Sequence, residues 1–190
     1  MHGRQVRIIR SIVLLAVAVF YGGCEQDYGQ AIHQDTGLSA AEATDQLQAE
    51  VVLCRRVSRS GKPLNPGREF SMTESGYVGA FVKFQGLETG RTYSIHLVWL
   101  KPDGAEIFRK YAEVELTEID TGYVTDIQWR KAEDFSYLRQ KSQESETPEF
   151  YLDTRLNISA GKNREPGIYF FRVYVDRELF RETTFELKPE

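Results

Sequence analysis

A thiol at Cys54, imidazoles at His33 and His96, and two acid pairs, Asp120 with Asp126 and Asp134 with Asp153, are the side chains of this 190-residue chain suited to nucleophilic or proton-transfer chemistry. A catalytic thiol needs an imidazole beside it, and a working carboxylate pair needs surroundings that keep one member protonated. Nothing in the spacing supplies either. A nucleophile elbow, a zinc signature, a phosphate-binding loop, a dinucleotide fingerprint and a calcium loop are all missing from the sequence. With 28 acidic residues, pairs at such spacings arise by chance, so the expectation is a chain with no catalytic residue, no metal and no cofactor.

The remaining surface chemistry is aromatic. If Tyr169, Phe171 and Val173 face a core, alternation turns Phe170 and Tyr174 outward, and Phe180 on the next segment joins them in a candidate binding patch. Such a patch suits protein, peptide or polysaccharide. Residues 131–149 carry Phe135, Tyr137 and Leu138 ahead of a polar run and are long enough to fold over that face, while Ser142 to Pro148 reads as disordered.

The elements that must position these residues are strands. In Thr92 to Leu100, Tyr93, Ile95, Leu97 and Trp99 share one face and His96 falls on the polar one, a period of two. Pro102-Asp103-Gly104 then supplies a turn. Further strands are expected at 51–58, 77–85, 106–116, 123–130, 150–159, 168–175 and 179–187, punctuated by glycine and proline. For the last hairpin, a three-residue loop sets Arg172 opposite Glu182 and Tyr174 opposite Phe180, whereas a two-residue loop sets Arg172 against Arg181. Charge pairing favours the first register.

The N-terminus has another character. Arg4, Arg7 and Arg10 precede an apolar run from Ile12 to Phe20, and Gly22-Gly23 stand directly before Cys24. Nine apolar residues at about 1.5 Å each are too short for the roughly 30 Å hydrocarbon core, so the segment reads as a cleaved export signal, residues 1–23. It resembles the lipobox of bacterial lipoproteins, with Tyr21 where that family usually has leucine. The resemblance implies that Cys24 is lipidated and becomes the new N-terminus, making a membrane the first partner. An ordinary cleavage site at Ala16-Val17-Ala18 and a buried first strand or helix are the competing readings. Glu25 is not the aspartate that, by resemblance to enteric lipoproteins, holds a protein at the inner membrane, so the outer membrane is the expected address.

Removing residues 1–23 takes three arginines and no acid, leaving 21 basic against 28 acidic side chains, a net of −7. Nucleic acid is therefore not an expected partner, because phosphate binding wants a concentrated positive face. Residues 24–49 form a polar tether with a short helix starting at the Ser39-Ala40-Ala41-Glu42 capping box. Residues 50–190 form one domain. Tyr169 after Pro166-Gly167 resembles the tyrosine corner of immunoglobulin-like sandwiches, and Trp99 stands where their central core tryptophan would. That implies an all-β, immunoglobulin-like antiparallel β-sandwich of about seven to eight strands. Cys54 is left without a disulfide partner and reads as a small core side chain. The expected function is a non-catalytic cell-envelope binding or structural module. Its alternatives are a carbohydrate-binding module using the hairpin aromatics, an accessory subunit of an envelope complex, and an envelope hydrolase.

Overall fold

The computed structural model describes residues 47–58, 61–72, 76–159, 162 and 164–189. They belong to the second of two units into which the chain divides, Ala41–Glu190. The leader, Cys24, His33 and the helix expected from Ser39 lie outside the described residues. Gln48 and Ala49, expected in the tether, pair with Gln85 and Phe84, so the first strand starts two residues before the expected domain boundary.

Eleven strands are present among the described residues, and no α-helix. They are β1 Gln48–Val57, β2 Pro63–Pro66, β3 Glu69–Ser71, β4 Tyr77–Gln85, β5 Thr92–Leu100, β6 Glu106–Ile119, β7 Gly122–Arg130, β8 Tyr137–Ser145, β9 Glu149–Asn157, β10 Gly167–Val175 and β11 Glu178–Lys188. One sheet has the order β2-β1-β4-β9 and the other β3-β11-β10-β5-β6-β7-β8. The chain changes sheet five times, between β2 and β3, β3 and β4, β4 and β5, β8 and β9, and β9 and β10; β4 pairs with β9 while β5 pairs with β10. The domain is an immunoglobulin-like β-sandwich. All pairings are antiparallel except β3 beside β11.

The count exceeds the expected seven to eight because three edge strands lack an apolar period. β2 begins and ends in proline, which an edge strand tolerates. β3 has three residues. β8 comes from residues expected to cover the last hairpin or to be disordered; it forms the outer edge of the seven-stranded sheet, beside β7.

The core lies between the sheets. Alternation in β5 buries Tyr93, Ile95, Leu97 and Trp99 as expected, with Trp99 at 0% exposure. Its indole meets Phe171 at 4.7 Å and Phe185 edge-on at 5.6 Å between ring centroids. Its Nε1–H donates to Thr154 Oγ1 at 3.3 Å, giving two buried polar groups on opposite sheets a mutual partner. Phe84 stacks on Phe150 at 4.8 Å along the other sheet. Tyr169 donates its hydroxyl to the Glu165 carbonyl at 2.8 Å and accepts from the Glu165 N–H at 3.1 Å, closing the tyrosine corner.

Between β5 and β6, Lys101 N–H bonds the Ala105 carbonyl at 2.8 Å, Asp103 caps Ala105, and Gly104 takes φ 82°. The free edge of β9 is met by side chains of the other sheet. Gln143 on β8 bonds both the N–H and the carbonyl of Tyr151, at 3.0 and 2.7 Å, and Lys110 Nζ reaches the Asp153 carbonyl at 3.3 Å. Burial pushes the Lys110 ammonium pKa down, with Asp153 opposing that effect.

Candidate functional site

The β10–β11 hairpin combines the two registers weighed from sequence. Its loop has two residues, Asp176 and Arg177, at φ 50° and 73°, and Val175 pairs with Glu178 across it. Positive φ at both central positions matches the right-handed twist of the strands. Arg172 nonetheless stands opposite Glu182, with Nε 2.5 Å from Oε2, because β11 carries one extra residue: Val173 pairs with Arg181 and Tyr174 with Leu179. Phe180 is that extra residue.

The bulge dissolves the expected patch. Phe180 packs half-buried against the core cluster, so it does not join Phe170 and Tyr174. Phe170 lies between Leu100 and Thr184, Tyr174 lies between His96 and Leu179, and the Arg172–Glu182 pair stands between the two aromatics.

Tyr174 belongs to a different group. With Ser94 and His96 from β5, Arg109 and Tyr111 from β6, Phe135 from the β7–β8 loop and Arg177 from the turn, it lines a pocket of about 400 Å³ on the outer face of the seven-stranded sheet. The His96 and Tyr111 rings lie 4.6 Å apart, and Phe135 meets Tyr111 edge-on at 5.1 Å. Phe135 sits at φ 56°, an uncommon region for an aromatic residue. The loop fixes it there: Lys131 N–H bonds the Ser136 carbonyl at 2.9 Å and Phe135 N–H bonds the Lys131 carbonyl at 3.0 Å. Of the segment expected to cover the hairpin, therefore, Phe135 reaches this face and β8 runs to the far edge.

The pocket holds positive charge and aromatic surface. Arg109 grips Glu106 with two bonds, at 3.2 and 2.5 Å, and its Nη1 lies 3.5 Å from His96 Nδ1. A guanidinium only donates, so Nδ1 accepts and the imidazole proton sits on Nε2. Burial, then Arg109 and Arg177, push the His96 pKa down. The ring is on the outer face, as its alternation requires, but is half-buried there. Burial also raises the Tyr111 pKa, helped by Glu113, which accepts the phenol at 3.2 Å and is itself bound by Arg130 at 2.6 Å.

No protein-family model matches the chain, and no curated protein matches it in sequence. Among solved structures it is similar to an immunoglobulin-like protein from Pseudomonas aeruginosa at 12% identity and a TM-score of 0.41, covering 75% of this chain and 97% of that one. It is also similar to a β-glucosidase from Listeria innocua at 10% identity and a TM-score of 0.36, covering 76% of this chain and 16% of the glucosidase. An alkylpurine DNA glycosylase from Pseudomonas fluorescens is similar at 11% identity and a TM-score of 0.37, covering 75% of this chain and 30% of that one.

A larger cleft opens between the outer face of the other sheet and β8. About 650 Å³ opens beside Phe81 and Tyr151, whose rings stack at 4.9 Å, and is bordered by Arg56, Lys141, Arg155 and Asp153. Its carboxylate Glu149 is engaged by Lys83 at 2.7 Å and holds a lowered pKa chiefly through that bond.

The acid pairs are not assembled. Asp126 accepts from Ser142 on β7's outer neighbour, and Asp120 lies in the turn at the far end of β7. Asp134 is held by the Ser136 hydroxyl in the β7–β8 loop, a bond that lowers its pKa, whereas Asp153 is on β9. Cys54 is buried on β1, in the sheet that does not carry His96, and burial raises its thiol pKa. Among the described residues no three His, Cys, Asp or Glu side chains converge as a metal site.

Sequence reasoning singled out Tyr174 and placed Phe135 in a segment expected over this face; Tyr111 and Arg177 it did not name as site residues. The available signal was the adjacency of Arg177 to Asp176 in a turn, which exposes whatever stands there.

Proposed function

We propose that this protein is a non-catalytic binding module of the cell envelope, held to a membrane through lipid on Cys24 and presenting the Tyr174 pocket to an envelope polysaccharide or protein. One observation carries the reading: an aromatic pocket with two arginines and no carboxylate in its lining. Pockets of a few hundred Å³ with convergent polar groups are the usual form of a ligand site. A net charge of −7 on the mature chain directs nucleic acid elsewhere. The outer membrane is the proposed address, from Glu25 following the cysteine.

Full-length protein purified from membranes of its host, with mass spectrometry of its N-terminal peptide and of what accompanies it, tests the proposal. An acylated Cys24 and a partner lost in a Tyr174→Ala variant are expected. An unmodified N-terminus after Ala18 overturns the anchor. Turnover of an envelope polymer, abolished by changing one acid in a still-folded chain, replaces the module with a hydrolase.

A further inference from the structure

We propose that the Tyr174 pocket takes an acidic saccharide, with Arg177 meeting its carboxylate and the rings of Tyr111, Phe135 and Tyr174 meeting the C–H faces of the sugar. This deepens the binding-module reading and rests on it.

The sign of the ligand follows from which charges are already satisfied. Glu106 is held by Arg109, Glu113 by Arg130, Asp176 by Arg91 at 2.7 Å and Glu182 by Arg172. Glu178 pairs with Val175, which points into the core, and so lies on the opposite face. Arg177, in contrast, makes no ion pair among the described residues and lines the pocket. The surroundings thus present one uncompensated guanidinium to a ligand, and a planar guanidinium binds a carboxylate with two parallel bonds. His96 adds no positive charge at neutral pH, since its pKa is pushed down, and its Nε2–H is a neutral donor.

The ligand's class follows from the lining. The apolar surface consists of ring faces with no aliphatic side chain, while the Ser94 and Tyr174 hydroxyls and His96 supply polar contacts. Flat aromatic surface with a polar rim fits a sugar ring, which is apolar on its C–H face and hydroxylated at its edge. A peptide strand has little to bind here. The floor is built by β10, β5 and β6, whose backbone groups are consumed in ladders on both sides, so strand addition is closed. Phe135 adds a second indication: an aromatic held at φ 56° and 52% exposed is a locally costly arrangement of the kind that collects at ligand sites.

Calorimetry on the full-length chain in detergent, titrated with trigalacturonate, with a neutral galactose trisaccharide and with tri-glutamate, tests the proposal. The expected result is binding of trigalacturonate at least about tenfold tighter than the neutral sugar, weakening with added salt. Arg177→Asn, which suits the left-handed turn position, should remove that preference without lowering the melting temperature. Tyr174→Ala should remove binding to both sugars. Equal affinity for acidic and neutral sugars retains the module and overturns the acidic ligand. Tri-glutamate matching trigalacturonate, or trigalacturonate binding indifferent to Arg177→Asn, also overturns it. If none of the three binds, the saccharide site is wrong, while a lipidated Cys24 and a Tyr174-dependent partner from membranes would leave the broader reading standing.

Discussion

The outer faces of the two sheets differ in the way that matters for recognition. The roomier cleft, about 650 Å³, lies where β8 of the seven-stranded sheet meets the outer face of the four-stranded one, and there Arg56, Lys141 and Arg155 share it with Glu144, Glu149 and Asp153. The seven-stranded sheet carries about 400 Å³ with two arginines and no acid. Opposite charges along one cleft cancel within a Debye length of about 8 Å at physiological ionic strength, so the larger volume presents little net field. Room says what can enter; uncompensated charge says what is retained.

The comparison can be broken at four depths. Both faces stand on the core at Trp99, so Trp99→Ala should cost about 3–5 kcal/mol in urea unfolding and loosen the two together. Loss of one face alone would mean that the sheets are stabilised separately. Gly122→Ala should separate them. At φ 139° its new Cβ would lie 2.4 Å from the Ser145 carbonyl oxygen, destabilising the β7–β8 hairpin by about 2 kcal/mol. Hydrogen exchange should then rise in β8 and in the loop bearing Phe135, with β1 and β4 protected. Unchanged exchange in β8 would show the hairpin adapting.

Smaller effects probe the pocket's field. Because the folded His96 pKa is depressed, the unfolded chain takes up the proton first. Stability is whole above about pH 6.5 and falls below it as the pH approaches the folded value. His96→Gln should flatten that part of a stability–pH curve; an unaltered slope would mean that the imidazole is not held neutral. Smallest is Arg172→Ala. Both partners of its ion pair are about one-third exposed, so the loss should be about 0.5 kcal/mol and vanish in high salt.

What could be read in advance depended on periodicity. The strands with a sustained apolar alternation were legible, as was Tyr169, because a hydrophobic alternation and a Pro-Gly turn are local signals; β3, which sends only Phe70 into the core, was not. β8 was illegible: Leu138, Arg139, Gln140 and Lys141 carry no apolar period, since the strand overhangs the edge of the other sheet and Leu138 is 54% exposed. The hairpin register was half legible. Charge complementarity identified Arg172 with Glu182, but a bulge at Phe180 achieved it with a shorter loop. The pocket escaped because His96, Tyr111, Phe135 and Tyr174 come from four segments, and only the sheet order brings them together.

The side-chain clasp on β9 has a consequence for how copies of this domain coexist. A sandwich leaves open rims, and a bare rim offers neighbouring molecules a template for joining sheet to sheet. With Gln143 already occupying the N–H and carbonyl of Tyr151, and Lys110 the carbonyl of Asp153, an incoming strand would have to displace bonds within the molecule. At this rim, the joining of two sheets edge to edge is disfavoured.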